Sequence, residues 1–231
     1  MKGSTLERIN EARAAKRRVA LVRFLDSHEQ ALVVGNDLVE GDLGEDGRRE
    51  VETAFRQDRS RHVELEAGRT FIQIFNPPLR LAIIGAVHIS QALVSMAKLA
   101  GYEVTVIDPR GAFATAERFP DTHIDSEWPD EAMERFDPDR RSAVVALTHD
   151  PKLDDPALDI ALRSDAFYIA ALGSRRTHAG RRERLTALGH DEAVIDRIHG
   201  PAGLDIGAVS PAEIAISVMA EMTAALRREK A

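Results

Sequence analysis

LRLAIIGAVHISQALVSMAKLAGYEVTVIDPR, residues 79–110, decides the fold of this chain. Leu81, Ala82, Ile83 and Ile84 form a short unbroken apolar run of the kind buried on both faces of a parallel sheet, and Gly85 ends it. Ile89, Leu93, Met96, Ala97 and Ala100 then recur at helical spacing, and Gly101 stands where a left-handed cap closes a helix. A second apolar run, residues 104–107, ends at Asp108. The unit is predicted to be strand, turn, helix and parallel strand. Asp108 follows Gly85 at close to the roughly 20-residue offset where a nucleotide-binding unit places the carboxylate that contacts a ribose.

The glycine-rich turn of such units has three glycines with separate tasks: a tight turn, close approach of the backbone to a pyrophosphate, and close packing of helix on strand. Here those positions hold Gly85, Val87 and Ser90. Ser90 is small enough for the third task. Val87 is branched where the second needs no side chain, so it is expected to crowd a phosphate at this turn.

Downstream, strand and helix keep alternating. Residues 113–119 read as irregular, 122–124 as a short strand, 129–135 as a helix and 143–147 as a buried strand ending in Thr148, His149, Asp150 and Pro151. Asp155 and Pro156 resemble an N-cap with proline at the first helical position, predicting a helix from there to about Ser164. Residues 166–172 form another apolar strand, followed by Gly173, Ser174, Arg175 and Arg176 and a basic helix to about Leu188. A loop over 200–207 precedes Ser210, Pro211, Ala212 and Glu213, a capping box with proline at N1. Ile214, Val218, Met222 and Leu226 repeat every four residues on the helix this box opens, as a stripe for the core or for a dimer face. The alternation predicts an α/β fold, a Rossmann-like doubly wound parallel sheet with ligands at the carboxyl ends of its strands.

Upstream, residues 4–17 suit a charged helix, and 19–25, 31–34, a run after Asn36 and Asp37, 63–65 and 71–75 suit strands, with a short helix starting near Asp46. Asn76, Pro77 and Pro78 break the chain. The expected organisation is a small N-terminal α+β domain over 1–78 and the Rossmann-like domain over 79–231.

A net charge of −7 argues against general affinity for nucleic acid or anionic membrane, and 5% aromatic residues leave little for stacking single strands. There are no cysteines, which removes disulfides, thiolate metal sites and cysteine nucleophiles. No apolar run is long enough for a membrane span or a signal-peptide core, so a cytoplasmic location is expected. The eight histidines include no H-E-x-x-H or other metal spacing, and there is no G-x-S-x-G elbow. His149 and Asp150 are adjacent and would point apart on a strand, so His149 reads as a loop residue.

If the sheet is as expected, three loops meet at its carboxyl edge. They contribute Gly85, Ala86, Val87 and His88; Thr148, His149 and Asp150; and Gly173, Ser174, Arg175 and Arg176. Asp108 and Arg110 close the second strand beside them. These thirteen are the candidate ligand contacts. A Gly-Ser turn opening a helix offers free N–H groups and a positive dipole end, and Arg175 and Arg176 add donors suited to phosphate. Arg181, Arg182 and Arg184 read as a solvated helix face.

GAVHISQAL from Gly85, VTVIDPR from Val104, ERFP from Glu117, LTHDPKLDDPAL from Leu147, FYIAALGSRRTHAGRRERL from Phe167, GLDIGA and PAEIA together resemble the XdhC/CoxI family over the last two thirds of the chain. These are accessory proteins of molybdenum hydroxylases such as xanthine dehydrogenase and carbon monoxide dehydrogenase. The resemblance implies a non-catalytic maturation factor that binds molybdenum cofactor of the molybdopterin type, favours its sulfuration and delivers it to the apoenzyme; a homodimer is compatible with it. Two departures stand out: the family turn reads G-A-G-H where this chain has Val87, and longer members carry cysteines in glycine-rich loops that are absent here. Two other readings stand beside this one. Asp108 supports an NAD(P)-dependent oxidoreductase, and Val87 with the missing cysteines supports a scaffold that keeps the fold without a ligand.

Overall fold

A computed structural model describes residues 3–227. The chain divides between Pro77 and Pro78 into two compact units.

The first unit opens with α1 (Gly3–Ala14), followed by β1 (Val19–Phe24), β2 (Gln30–Val34), β3 (Asp37–Glu40), α2 (Glu45–Gln57), β4 (Arg61–Leu65) and β5 (Gly68–Phe75). Its strands pair antiparallel in the order β3-β2-β1-β5-β4. The central strand β1 is apolar at consecutive positions because both its faces are covered. Val19 and Leu21 pack with Ile9 and Ala12 of α1, while Ala20 and Val22 pack with Val51, Ala54 and Phe55 of α2.

The second unit runs β6 (Leu79–Ile84), α3 (His88–Leu99), β7 (Tyr102–Ile107), β8 (His123–Asp125), α4 (Pro129–Phe136), β9 (Ser142–Ala146), α5 (Pro151–Arg163), β10 (Tyr168–Ala171), α6 (Arg175–Ala187), α7 (Glu192–Ile195), β11 (Ile198–His199) and α8 (Pro211–Arg227). Its six strands are all parallel, in the order β11-β10-β9-β6-β7-β8. Counted from β6 as the first strand, that is the 3-2-1-4-5-6 order of a doubly wound Rossmann sheet. The alternate side chains of β6 separate its two faces. Leu81 and Ile83 share a cluster with Leu93 and Ala97 of α3 and Val218 and Met222 of α8, whereas Ala82 and Ile84 pack with Met133, Leu153, Leu158 and Leu185 of α4, α5 and α6.

Two expectations need correction. The helix predicted to begin at Asp155 begins at Pro151: Asp150 is the N-cap, its Oδ1 accepting from the Lys152 N–H at 3.0 Å, and Pro156 lies inside the helix. Both Asp-Pro pairs satisfy the same capping pattern, and the earlier one prevails because it sits directly at the strand end. Elements α7 and β11 were not anticipated; at four and two residues they are too short for a periodic signal.

The box before α8 forms as read, with Glu213 Oε2 accepting from the Val209 and Ser210 N–H groups at 2.8 Å each. Farther along α8, Glu221 ties three elements together. It accepts from the Tyr168 hydroxyl at 2.6 Å, from the Gly203 N–H at 2.9 Å and pairs with His199 Nδ1 at 3.1 Å. Three residues of the α8 stripe are core, since Val218 and Met222 are fully buried and Leu226 packs on the same cluster, while Ile214 is half-buried outside it. Met222→Ala is therefore expected to lower unfolding stability by about 2–5 kcal/mol in urea titrations and to leave the sedimentation behaviour unchanged.

Candidate functional site

The strand order puts the carboxyl ends of β10, β9, β6 and β7 in one row. Between β6 and β9 the connections part to opposite faces, α3 to one and α5 to the other, which opens the crevice where doubly wound sheets take ligands. The three predicted loops and the β7 end all leave this edge.

At the first turn Gly85 is the position whose backbone calls for glycine. Its φ is +105°, and a Cβ there would lie 2.5 Å from the Thr148 Cγ2, because the ends of β6 and β9 run in contact. Ser90 does more than stay small: its hydroxyl donates to the Gly85 carbonyl at 2.5 Å and accepts from the Val87 N–H at 3.3 Å. Val87 is the N-cap residue of α3, in extended backbone (φ −92°, ψ 176°) that any residue adopts, and its side chain is half-buried against the α3 face cluster. Ala86 is buried and His88 is exposed at the first helical position.

Asp108, expected as a ribose contact, is enclosed by groups of the protein itself. It has no exposed surface, and its oxygens accept from the Ala86 N–H at 2.7 Å, the Arg110 N–H at 2.9 Å, and Arg110 Nε and Nη2 at 2.9 and 2.8 Å. Burial acts to raise its pKa, but the guanidinium and the two amides outweigh it and hold the carboxyl below its usual range. Committed to those four donors, it has no side presented to a ribose. What this strand end presents is Arg110, 39% exposed at the side chain, lying over the Phe113 ring at 4.9 Å and within electrostatic reach of Asp150 and Asp154. Arg118 completes the corner, with Nη1 donating to the Ala86 carbonyl at 2.8 Å and the Phe113 carbonyl at 2.6 Å.

The β9 loop is shaped from below by a carboxylate outside the predicted set. Asp154, 2% exposed, accepts from the Thr148 hydroxyl at 2.7 Å, the Thr148 N–H at 3.3 Å and the His149 N–H at 3.1 Å. That grip holds His149 at φ +62° with its imidazole exposed. Asp154 stands 3.8 Å from the guanidinium of Arg181, which donates to the Leu172 carbonyl at 3.0 Å. Burial raises the Asp154 pKa more than the Thr148 hydroxyl and Arg181 lower it, and burial likewise pulls Arg181 down. Arg181 is thus no part of a solvated face. It is the largest fully buried side chain among the described residues and links the β9 and β10 loops. Arg184 and Arg182 are also engaged, with Asp155 and Asp196, both at 2.5 Å. The signal available in the sequence was the Asp154-Asp155 pair, whose adjacent carboxylates are directed at two arginines of α6.

In the β10 loop Gly173 has φ +138°, and Ser174 caps α6 by accepting from the Thr177 N–H at 3.1 Å. Arg175 and Arg176 occupy the first two helical positions, are exposed, and have no hydrogen-bond or ion-pair partner among the described residues. The edge therefore combines two helix N-termini with two uncommitted guanidinium groups, an arrangement suited to an anion. Among the described residues no three side chains are grouped to hold a metal ion, and no helix is long and apolar enough to cross a membrane.

The XdhC Rossmann domain family matches residues 81–222. A Bacillus subtilis (strain 168) protein, named as one of the probable xanthine dehydrogenase subunits, is 32% identical over 159 residues, covering 68% of this chain and 46% of that protein. The molybdenum cofactor insertion chaperone PaoD of Escherichia coli (strain K12) is 33% identical over 148 residues, 64% of this chain and 40% of its own length. A crystal structure from Bacillus halodurans, described as a xanthine dehydrogenase, matches with a TM-score of 0.72 at 26% identity over 98% of this chain and 65% of that one. The chain spans less than half the length of the two curated relatives.

Two measurements check this account of the edge. Gly85→Ala is expected to cost about 1–3 kcal/mol, and adding Thr148→Ser, which removes the Cγ2 but keeps the hydroxyl, should recover part of that loss and not the part due to the positive φ. Asp108→Asn should cost about 1.5–3 kcal/mol at pH 7. Since the folded pKa of Asp108 is depressed, its contribution is complete above the unfolded value of about 3.9 and is lost as pH falls through the lower folded value, so the gap between mutant and wild type should close in urea titrations below about pH 4.

Proposed function

The chain belongs to the XdhC family, and from that membership we propose that it is an accessory factor in the maturation of a molybdenum hydroxylase. On this reading it holds molybdenum cofactor, or the dinucleotide form of it, at the strand-end row of the second unit and assists its delivery to the apoenzyme. The observation that carries the proposal is the pair Arg175 and Arg176, left without partners beside two helix N-termini while every other arginine of α6 is engaged within the protein.

The residues present fit the phosphate-bearing part of such a ligand. Free N–H groups in the first turns of α3 and α6 and two forked cations provide directional donors and charge for a phosphate or pyrophosphate. They do not include a sulfur donor, because the chain has no cysteine, so retention of the cofactor rests on its phosphate and ring and not on a protein thiolate at the metal. The dehydrogenase alternative depended on Asp108 as a ribose contact, and that carboxylate is occupied by Ala86 and Arg110.

The double variant Arg175→Ala, Arg176→Ala tests the proposal. Both side chains are exposed, so the melting temperature should stay within a degree or two, while pyrophosphate affinity measured by calorimetry should fall at least tenfold and its dependence on salt should flatten. Pull-down from extract with fluorescence detection of oxidised pterin should recover pterin and a hydroxylase polypeptide with the wild type. Recovery of neither, or a double variant that binds pyrophosphate normally, contradicts it.

A further inference from the structure

We propose that Arg110 and Phe113 form a stacking platform for the flat heteroaromatic ring of a phosphate-bearing ligand, either a pterin or a nucleobase. The inference rests on the reading of the strand-end row as an anion site and identifies the other half of the ligand. Phe113 is 48% exposed, on the loop that follows β7. A single exposed phenylalanine is unremarkable in itself. Here, however, the backbone that carries the ring is fixed on both sides. Its N–H closes a turn onto the Arg110 carbonyl at 2.9 Å, and its carbonyl takes Arg118 Nη1 at 2.6 Å. That same nitrogen holds the Ala86 carbonyl in the Gly85 turn. One donor shared by both carbonyls keeps the aromatic residue beside the turn where a phosphate would sit, and Arg118 itself is steadied by Gln91 and by the Phe119 ring.

Below the ring, Arg110 is equally constrained. The bidentate bond to Asp108 fixes the guanidinium plane, which lies over Phe113 at 4.9 Å. A guanidinium and a phenyl ring are both flat and polarisable, and either face accepts a heterocycle by stacking. The spacing is also suitable. The end of β7 is one strand, about 5 Å, from the Gly85 turn on β6, and about 14 Å from the β10 end that carries Arg175. A ring joined to a phosphate through a short linker spans the first distance, and a dinucleotide spans the second. Base contacts of this kind tolerate different rings, so the platform discriminates ring from no ring more than one ring from another.

Calorimetry with three probes separates the cases: inorganic pyrophosphate, 6-hydroxymethylpterin pyrophosphate and a nucleoside diphosphate such as GDP or CDP. Wild type should bind one or both ring-bearing probes at least about fivefold more tightly than pyrophosphate. Phe113→Ala should abolish that advantage and leave pyrophosphate affinity within twofold, and Phe113→Tyr should retain it. Which ring gains more decides between pterin and nucleobase. If pyrophosphate binds but a ring adds nothing, or if Phe113→Ala leaves the advantage intact, the platform is refuted while the anion site stands. If no probe binds wild type, both fail.

Discussion

A carboxylate with no access to water organises the edge formed by the strand ends of the second unit. Asp108 ends β7, yet its oxygens reach across to the Ala86 N–H in the β6 turn and hold the main chain and side chain of Arg110. Removing a carboxylate from water is costly unless its lone pairs are met, and here four donors meet them, two of them on a guanidinium that carries a full positive charge. The consequence is that two neighbouring strand ends and the loop after β7 are set as one piece. The shape of the first turn is thus determined by a residue beyond the entire intervening helix.

The next strand end is held by the opposite balance. Asp154 and Arg181 are both about as buried as Asp108, but their charges stand 3.8 Å apart without a direct hydrogen bond, and burial dominates both groups. Their attraction recovers only part of the desolvation cost, so the pair contributes through placement. Asp154 gathers the Thr148 and His149 amides, and Arg181 satisfies the last carbonyl before the β10 turn. Ionic groups spent in this way leave Arg175 and Arg176 facing outward uncommitted at the start of α6.

Fold class was legible because it depends on repeated physical signals. The unbroken apolar runs of β6, β9 and β10 mark strands covered on both faces, and the spacing of α3 and α8 marks helices with one buried stripe. Local signals misled where two copies competed. Asp150-Pro151 and Asp155-Pro156 are chemically identical caps, and only the position of the strand end chooses between them. Side-chain partners were the least legible. A run of five arginines in α6 looks like a solvated face, and nothing within the helix reveals that Arg181 points inward; that depends on Asp154, 27 residues away across a sheet connection. The partners of Asp108 were hidden for the same reason, since its offset from Gly85 is a property of the chain and its bond to Arg110 is a property of the packed loop.

The altered glycine turn shows which of its features physics requires. Gly85 is costly to change, because its dihedral strains any side chain and the Thr148 Cγ2 crowds a Cβ. Ser90 replaces a packing glycine and improves on it, closing the turn with a hydroxyl that bonds the Gly85 carbonyl and the Val87 amide. Val87 adopts a backbone that glycine is not needed for, and its bulk finds apolar neighbours, so the turn itself survives the substitution intact. On the expectation that a branched residue at the closest point of approach crowds a phosphate, fewer backbone donors are within a ligand's reach at this turn and side chains make up the deficit. On the proposed reading that shifts the weight of recognition outward along the row, to the forked cations at the start of α6 on one side and the ring and guanidinium beyond β7 on the other.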